Sequence, residues 1–175
     1  MTFSYRFLLI AALVVTCWGK PVYALDNNTR IAVRNLVNEG ANDFDNGQFE
    51  SALTKFMEAL NTARVPTVAA WAAQSNEKLG HLVAAVDLYE RALLMQPNDL
   101  WVDQVQQQSQ QQARSALELL KARIPAITVQ VTGAQPNGEP EIDIDGVIVP
   151  LFALSSNYPL DPGTHRIAAK QGQLT

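Results

Sequence analysis

Residues 47–60, GQFESALTKFMEAL, and residues 80–93, GHLVAAVDLYERAL, decide how this chain folds. Overlaid at an offset of 33, they match at Gly47 and Gly80, Ala52 and Ala85, Phe56 and Tyr89, Ala59 and Ala92, and Leu60 and Leu93. Self-similarity at such a period marks helix pairs that stack on one another. The glycines suit a turn between paired helices, where a left-handed backbone is tolerated. A small alanine five residues later lets two helices approach closely. The aromatic residue and the following Ala-Leu then complete the buried stripe of a second helix.

Working outward, the first copy runs roughly over residues 33–66 and the second over 66–99. Leu36 and Gly40 extend the pattern in the first, Ala73 and the closing Pro97 in the second. Together these residues resemble a tetratricopeptide repeat over about 67 positions. Asp43 and Asn76 depart from it, at a site that is usually aromatic, and Arg64 stands in place of the first copy's closing proline. The resemblance implies a concave groove lined by the first helix of each pair. Carried over residue by residue, that gives Arg34, Asn38, Ala41 and Asp45, then Thr67, Trp71, Gln74 and Lys78. Trp71 is the most informative, because Trp is enriched where partner contacts concentrate binding energy. It is equally suited to packing against a neighbouring helix.

Two helix pairs leave an apolar flank, since about three units are normally needed for stability. The next segment supplies the cover. Asp99 is a good N-cap, and residues 100–123 hold neither Gly nor Pro before Pro125. A helix of that length spans roughly 36 Å. Gln occupies seven of the nine positions from Gln104 to Gln112, which predicts a solvated, neutral face. The alternative is a surface through which copies of the chain associate.

From Ile127 the period changes to two. Ile127, Val129 and Val131 alternate with polar residues, as do Ile142 and Ile144, and both read as half-buried strands. Asp145-Gly146 before Val147-Ile148-Val149 is a strong hairpin signal. Asp161-Pro162-Gly163 makes a further turn, and residues 164–170 read as another strand with Ile167 and Ala169 on one face. The stretch from Tyr158 to Ile167 resembles the end of PEGA-type β modules. The whole order is similar to exported repeat proteins of myxobacteria and their relatives. That implies an envelope-associated interaction protein. The fold class is therefore expected to be α+β: helical hairpins over residues 25–124 with a long capping helix, then a small antiparallel β module over 125–175, incomplete against the PEGA pattern.

Residues 1–24 read as an address. Arg6 precedes a twelve-residue apolar run, Phe7 to Trp18, in which Thr16 alone is polar, with Gly19 and Pro21 after it and Val22-Tyr23-Ala24 at a cleavage site. Twelve is short for a spanning helix. Export to the periplasm or cell envelope is expected. Cys17 is the sole cysteine, and its surroundings loosely resemble a lipoprotein box, with Thr16 where a smaller residue is usual. Loss with the leader is the expectation, and lipid anchoring at Cys17 the lesser alternative.

The remaining composition narrows the chemistry. The 175 residues carry 13 basic and 17 acidic side chains, a net charge of −4, which provides no cationic field for nucleic acid. Removing Arg6 and Lys20 with the leader makes the balance −6. Glu139, Glu141, Asp143 and Asp145 share one strand parity, yet they spread over about 20 Å and form no compact ligand loop. His81 and His165 stand apart from any Cys or second His at metal spacing. No phosphate loop or nucleophile elbow occurs. These patterns predict no catalytic residue, no metal and no cofactor. They point to a protein or peptide partner bound in the helical groove. A structural role is the alternative, in which the chain docks on the cell wall near the membrane or self-associates through the β module and Gln-rich helix.

Overall fold

The computed structural model of the chain describes residues 26–98, 100, 102–132 and 140–170. The expected leader with Cys17, the expected cap Asp99, Glu139 and residues 171–175 lie outside them. Helices fill the first part: α1 Asn27–Asp45, α2 Phe49–Thr62, α3 Pro66–Leu79, α4 Leu82–Leu94 and α5 Asp103–Lys121. A β part follows with β1 Ala126–Ile127, β2 Glu141–Ile144, β3 Val147–Val149, the single turn α6 Leu151–Leu154, β4 Tyr158–Pro159 and β5 Ile167–Lys170. The fold is mixed α and β, with the helices packed in adjacent pairs.

The 33-residue offset recurs in the backbone. Helices α2 and α4 start 33 positions apart, at Phe49 and Leu82. Gly47 and Gly80 have φ of +76° and +83°, which glycine adopts without strain. The Gly47 amide donates to Phe44 O at 3.0 Å and the Gln48 amide to Asp43 O at 2.8 Å. The Gly80 amide donates to Glu77 O at 3.2 Å and the His81 amide to Asn76 O at 2.9 Å. Two orphan carbonyls of the preceding helix are thus satisfied at each turn. Helix α1 begins earlier than the offset alone suggests, because Asp26 caps it through bonds to the Asn28 and Thr29 amides.

Small residues set the interhelical distance. Ala52, Ala59, Ala85 and Ala92 are fully buried, as is Phe56, and Tyr89 is nearly so. A Cβ added to Gly40 would meet Phe56 Cε1 at 2.9 Å, so α1 and α2 are closer there than any side chain permits. The matching position on α3, Ala73, is fully buried. Polar residues also lie inside, Asp43 and Asn76 among them. Asp43 pairs with Lys55 and accepts from the Ser51 hydroxyl at 2.5 Å, and the contact with Lys55, then that with Ser51, holds its carboxyl below the usual range. Asn76 donates to Ala72 O at 3.2 Å. Tyr89 also carries a polar contact, donating its hydroxyl to Glu77 at 2.7 Å, and burial with that carboxylate pushes the phenol far upward.

The capping helix is shorter than expected, beginning at Asp103 because Val102 is extended. Its 19 residues span about 28 Å. Ala113, Leu117 and Leu120 bury one stripe against α3 and α4. The Gln tract is not the solvated face expected for it throughout, since Gln106 is only 5% exposed and Gln110 is half-buried.

In the β part, β3, β2 and β5 form an antiparallel sheet in that order. The Asp145-Gly146 turn has φ of +54° and +88°, two left-handed residues in succession, as a tight hairpin requires. Ile142 faces Val149 and Ala169, and Ile144 faces Val147 and Ile167, so one face carries the apolar set. Ile142, Ile144, Val149 and Leu154 form a separate small core. The strand expected through Ile127, Val129 and Val131 is only two residues long, pairing Ala126 with Pro159 and Ile127 with Tyr158. Beyond it the Val129 amide turns to Leu154 O at 2.9 Å, while Val129 and Val131 still pack on the small core. The last strand starts at Ile167 rather than at residue 164, because His165 and Arg166 are engaged in a loop. Asp145 leaves the expected acidic face by entering the hairpin turn.

Gly40→Ala opposes two effects. Helix propensity favours Ala by about 1 kcal/mol, whereas overpacking a core costs ~1–3 kcal/mol. With the Phe56 ring at 2.9 Å, overpacking prevails, and a thermal melt should show a lower Tm than the unsubstituted chain.

Candidate functional site: a cleft across three helices

The site follows from how α5 is held. Helix α3 starts behind Val65, which offers no side-chain cap, and α4 ends at Leu94 with Met95 as its C-cap, the Met95 amide donating to Ala92 O at 3.4 Å and Gln96 Nε2 to Leu94 O at 3.3 Å. Helix ends leave such groups unsatisfied unless another side chain reaches them. Gln106 Oε1 accepts from the Thr67 amide at 3.0 Å and from the Thr67 hydroxyl at 2.6 Å. Ser109 adds a hydroxyl contact to Thr67 at 3.2 Å. One turn after Gln106, Gln110 Nε2 lies 3.1 Å from Ala92 O, 3.4 Å from Leu93 O and 3.2 Å from Met95 O. The inward pair of the Gln tract therefore grips the start of one helix and the end of the next.

Gripping them places α5 beside α3, as α3 lies beside α1, and opens two adjoining clefts. One, of about 230 Å³, lies between α3 and α5 and is lined by Thr67, Trp71, Gln74, Val105, Gln108 and Gln112, among others. Every side chain lining it is uncharged. The other, of about 320 Å³, reaches α1 through Val33, Arg34 and Val37 and shares Thr67 and Val105 with the first. Neutral amides thus line one end, and valines with Arg34 beside them the other.

The residues singled out in the sequence divide accordingly. Arg34, Thr67, Trp71 and Gln74 come together along these clefts. Asn38, Asp45 and Lys78 are exposed but line neither, and Ala41 is half-buried against the helical core. Thr67 already spends its hydroxyl and amide on Gln106. Trp71 takes the packing role considered for it and keeps one edge at the cleft. Its ring stacks on Phe56 with centroids 5.7 Å apart and meets Phe44 edge-on at 5.2 Å, while its free edge lines the cleft. Val105, Gln108 and Gln112 went unrecognised. The spacing of four between Gln108 and Gln112 was the available signal, and it acquires meaning only once Gln106 and Gln110 are known to face inward.

Other reactive groups are engaged elsewhere. His165 contacts Asp145 Oδ2 through Nδ1 at 2.5 Å and Asp161 O through Nε2 at 2.6 Å, so both ring nitrogens are occupied. Ser155 donates its hydroxyl to Phe152 O at 2.7 Å. Among the described residues no cluster of three His, Cys, Asp or Glu is arranged to hold a metal, and no helix is long and apolar enough to cross a membrane. No family model, curated protein or solved structure matches the chain.

Replacing Gln110 by Ala strips a donor from three carbonyls, and Gln106→Ala strips an acceptor from the Thr67 amide. Each should destabilise by ~1–3 kcal/mol, the cost of leaving buried polar groups unpaired. Gln107→Ala, at an exposed position on the same helix, should change Tm little. Denaturant melts of the three variants check the ordering.

Proposed function

We propose that the chain is an exported, non-enzymatic adaptor of the tetratricopeptide-repeat type, which receives a segment of a protein partner across α1, α3 and α5. The observation that carries this reading is the pair of adjoining clefts, with uncharged amides at one end and valines beside two arginines at the other. Stacked helix pairs create extended concave surfaces of this kind. Gln74, Gln108 and Gln112 each present a donor and an acceptor, the complement of an extended peptide backbone. Neither the Gln74 nor the Gln108 side chain makes a hydrogen bond among the described residues. The valines beside Arg34 suit an apolar side chain. The export part rests on the charged, apolar and small-residue pattern of residues 1–24, and the envelope setting on the PEGA-like stretch ending near Ile167.

A second reading has one observation in its favour. On the β part Val147, Ile148 and Phe152 are 63%, 62% and 81% exposed, and a cleft of about 650 Å³ lies against Ile148 and Phe152. An apolar surface of that kind suits a structural envelope component that self-associates or docks on the cell wall.

The double variant Gln74→Ala with Gln108→Ala separates binding from folding. Each lost hydrogen bond is worth about 1 kcal/mol, so crosslinked partner from envelope extracts should fall roughly thirtyfold while Tm holds within a few degrees. Equal capture by both proteins contradicts the adaptor reading. Light scattering over a concentration series then distinguishes the alternative, for which the mass should rise with concentration.

A further inference from the structure

Asp161 is engaged at two places at once. Its carboxylate Oδ1 accepts from the Val83 amide at 2.8 Å, although 78 positions separate the two residues. Val83 is the second residue of α4, whose own start, His81, offers no side-chain cap. A carboxylate there satisfies an orphan amide and sits at the positive end of the helix dipole. The backbone carbonyl of the same Asp161 lies 2.6 Å from His165 Nε2. On the other side of the ring, Nδ1 lies 2.5 Å from Asp145 Oδ2. Asp145 in turn accepts from the Arg166 amide at 2.8 Å, and its own amide donates to Arg166 O at 3.0 Å.

Both partners of the imidazole are acceptors. Only the doubly protonated ring donates from both nitrogens. When it loses a proton, the carboxylate retains the hydrogen on Nδ1, and a bare Nε2 lone pair then faces a carbonyl lone pair. That contact turns from attraction to repulsion, and the residue it displaces is the one capping α4.

We propose that His165 and Asp161 form a protonation-dependent latch joining the β part to the first turn of α4. The charged groups around the ring are Asp145 on the β2–β3 turn and Asp161 and Arg166 on its own loop; the titratable residue at the start of α4 is His81. The two carboxylates outweigh the single arginine. The bond to Asp145, and then that to the Asp161 carbonyl, raise the His165 pKa above its ordinary 6.5. The bond to His165, and then that to the Arg166 amide, lower Asp145 below its ordinary 3.8. A raised histidine contributes fully below its unfolded value and loses that contribution as pH rises through its folded value. A lowered carboxyl contributes above its unfolded value and loses it as pH falls through its folded one. The latch is therefore closed between the lowered Asp145 value and the raised His165 value, and opens as pH climbs past the latter. This holds whatever the helical cleft binds.

An NMR titration of the unsubstituted full chain tests it, reading the His165 ring nitrogens and the Val83 amide together. The latch requires a His165 midpoint above 6.5 and a Val83 shift that titrates at that same midpoint. Asp145→Asn should bring the His165 midpoint down toward the ordinary value. Asp161→Ala should speed Val83 exchange at least tenfold and abolish its dependence on His165. A Val83 amide that stays constant through the His165 titration, or a His165 midpoint at or below 6.5, overturns the proposal.

Discussion

Helix α3 has a start that it does not close itself, helix α4 has an end that it closes only in part, and α5 reaches both. Gln106 satisfies the Thr67 amide, and Gln110 lies over the carbonyls of Ala92, Leu93 and Met95. The two glutamines are four residues apart and so share one helix face. The apolar stripe of Ala113, Leu117 and Leu120 buries area without fixing where along its axis α5 sits, since burial is non-directional. Hydrogen bonds to two helix ends do fix it. Once α5 is set in that register, Gln108 and Gln112 come to the cleft opposite Trp71 and Gln74. Ion pairs contribute less to this placement. Lys121 with Glu90 at 2.8 Å and Arg123 with Glu77 at 3.4 Å lie at half-exposed positions, where such pairs add little.

Much of the helical part was legible in the sequence because its determinants are local. A residue that must take positive φ is glycine, and Gly47 and Gly80 mark the two turns directly. A helix contact too close for a side chain demands small residues, so Ala52, Ala59, Ala85 and Ala92 announce the packed face. The Asp145-Gly146 hairpin was readable for the same reason. What escaped depends on residues distant in the chain. Gln106 and Gln110 look like any solvated glutamine until α3 and α4 arrive beside them. The stretch from Val129 to Val131 has a strand's alternation, yet the bond from the Val129 amide goes to Leu154 instead of a neighbouring strand. Tyr89 read as an apolar stripe residue, while its hydroxyl finds Glu77 twelve positions away.

The same distinction explains the candidate site. Arg34, Thr67, Trp71 and Gln74 were reachable from a repeat pattern because they lie on two equivalent helices. The third wall was not, since α5 does not continue the pattern of the earlier copies. Trp71 illustrates how packing and exposure combine in one side chain. Stacked on Phe56 and edge-on to Phe44, it is held rigidly with one edge left at the cleft. A preorganised aromatic of this sort loses little conformational freedom when something binds against it.

Native-state hydrogen exchange at the Thr67 amide tests the gripping of α5 most directly. Thr67 is the second residue of α3, and such an amide in an uncapped helix exchanges nearly as fast as an unstructured one. With Gln106 bound to it, the Thr67 amide should open only when α5 leaves, with a protection close to that of Ala85 and Ala92 amides inside α4. Rapid exchange at Thr67, beside full protection in α4, would mean that α5 is not anchored by its glutamines and that the cleft lacks its third wall.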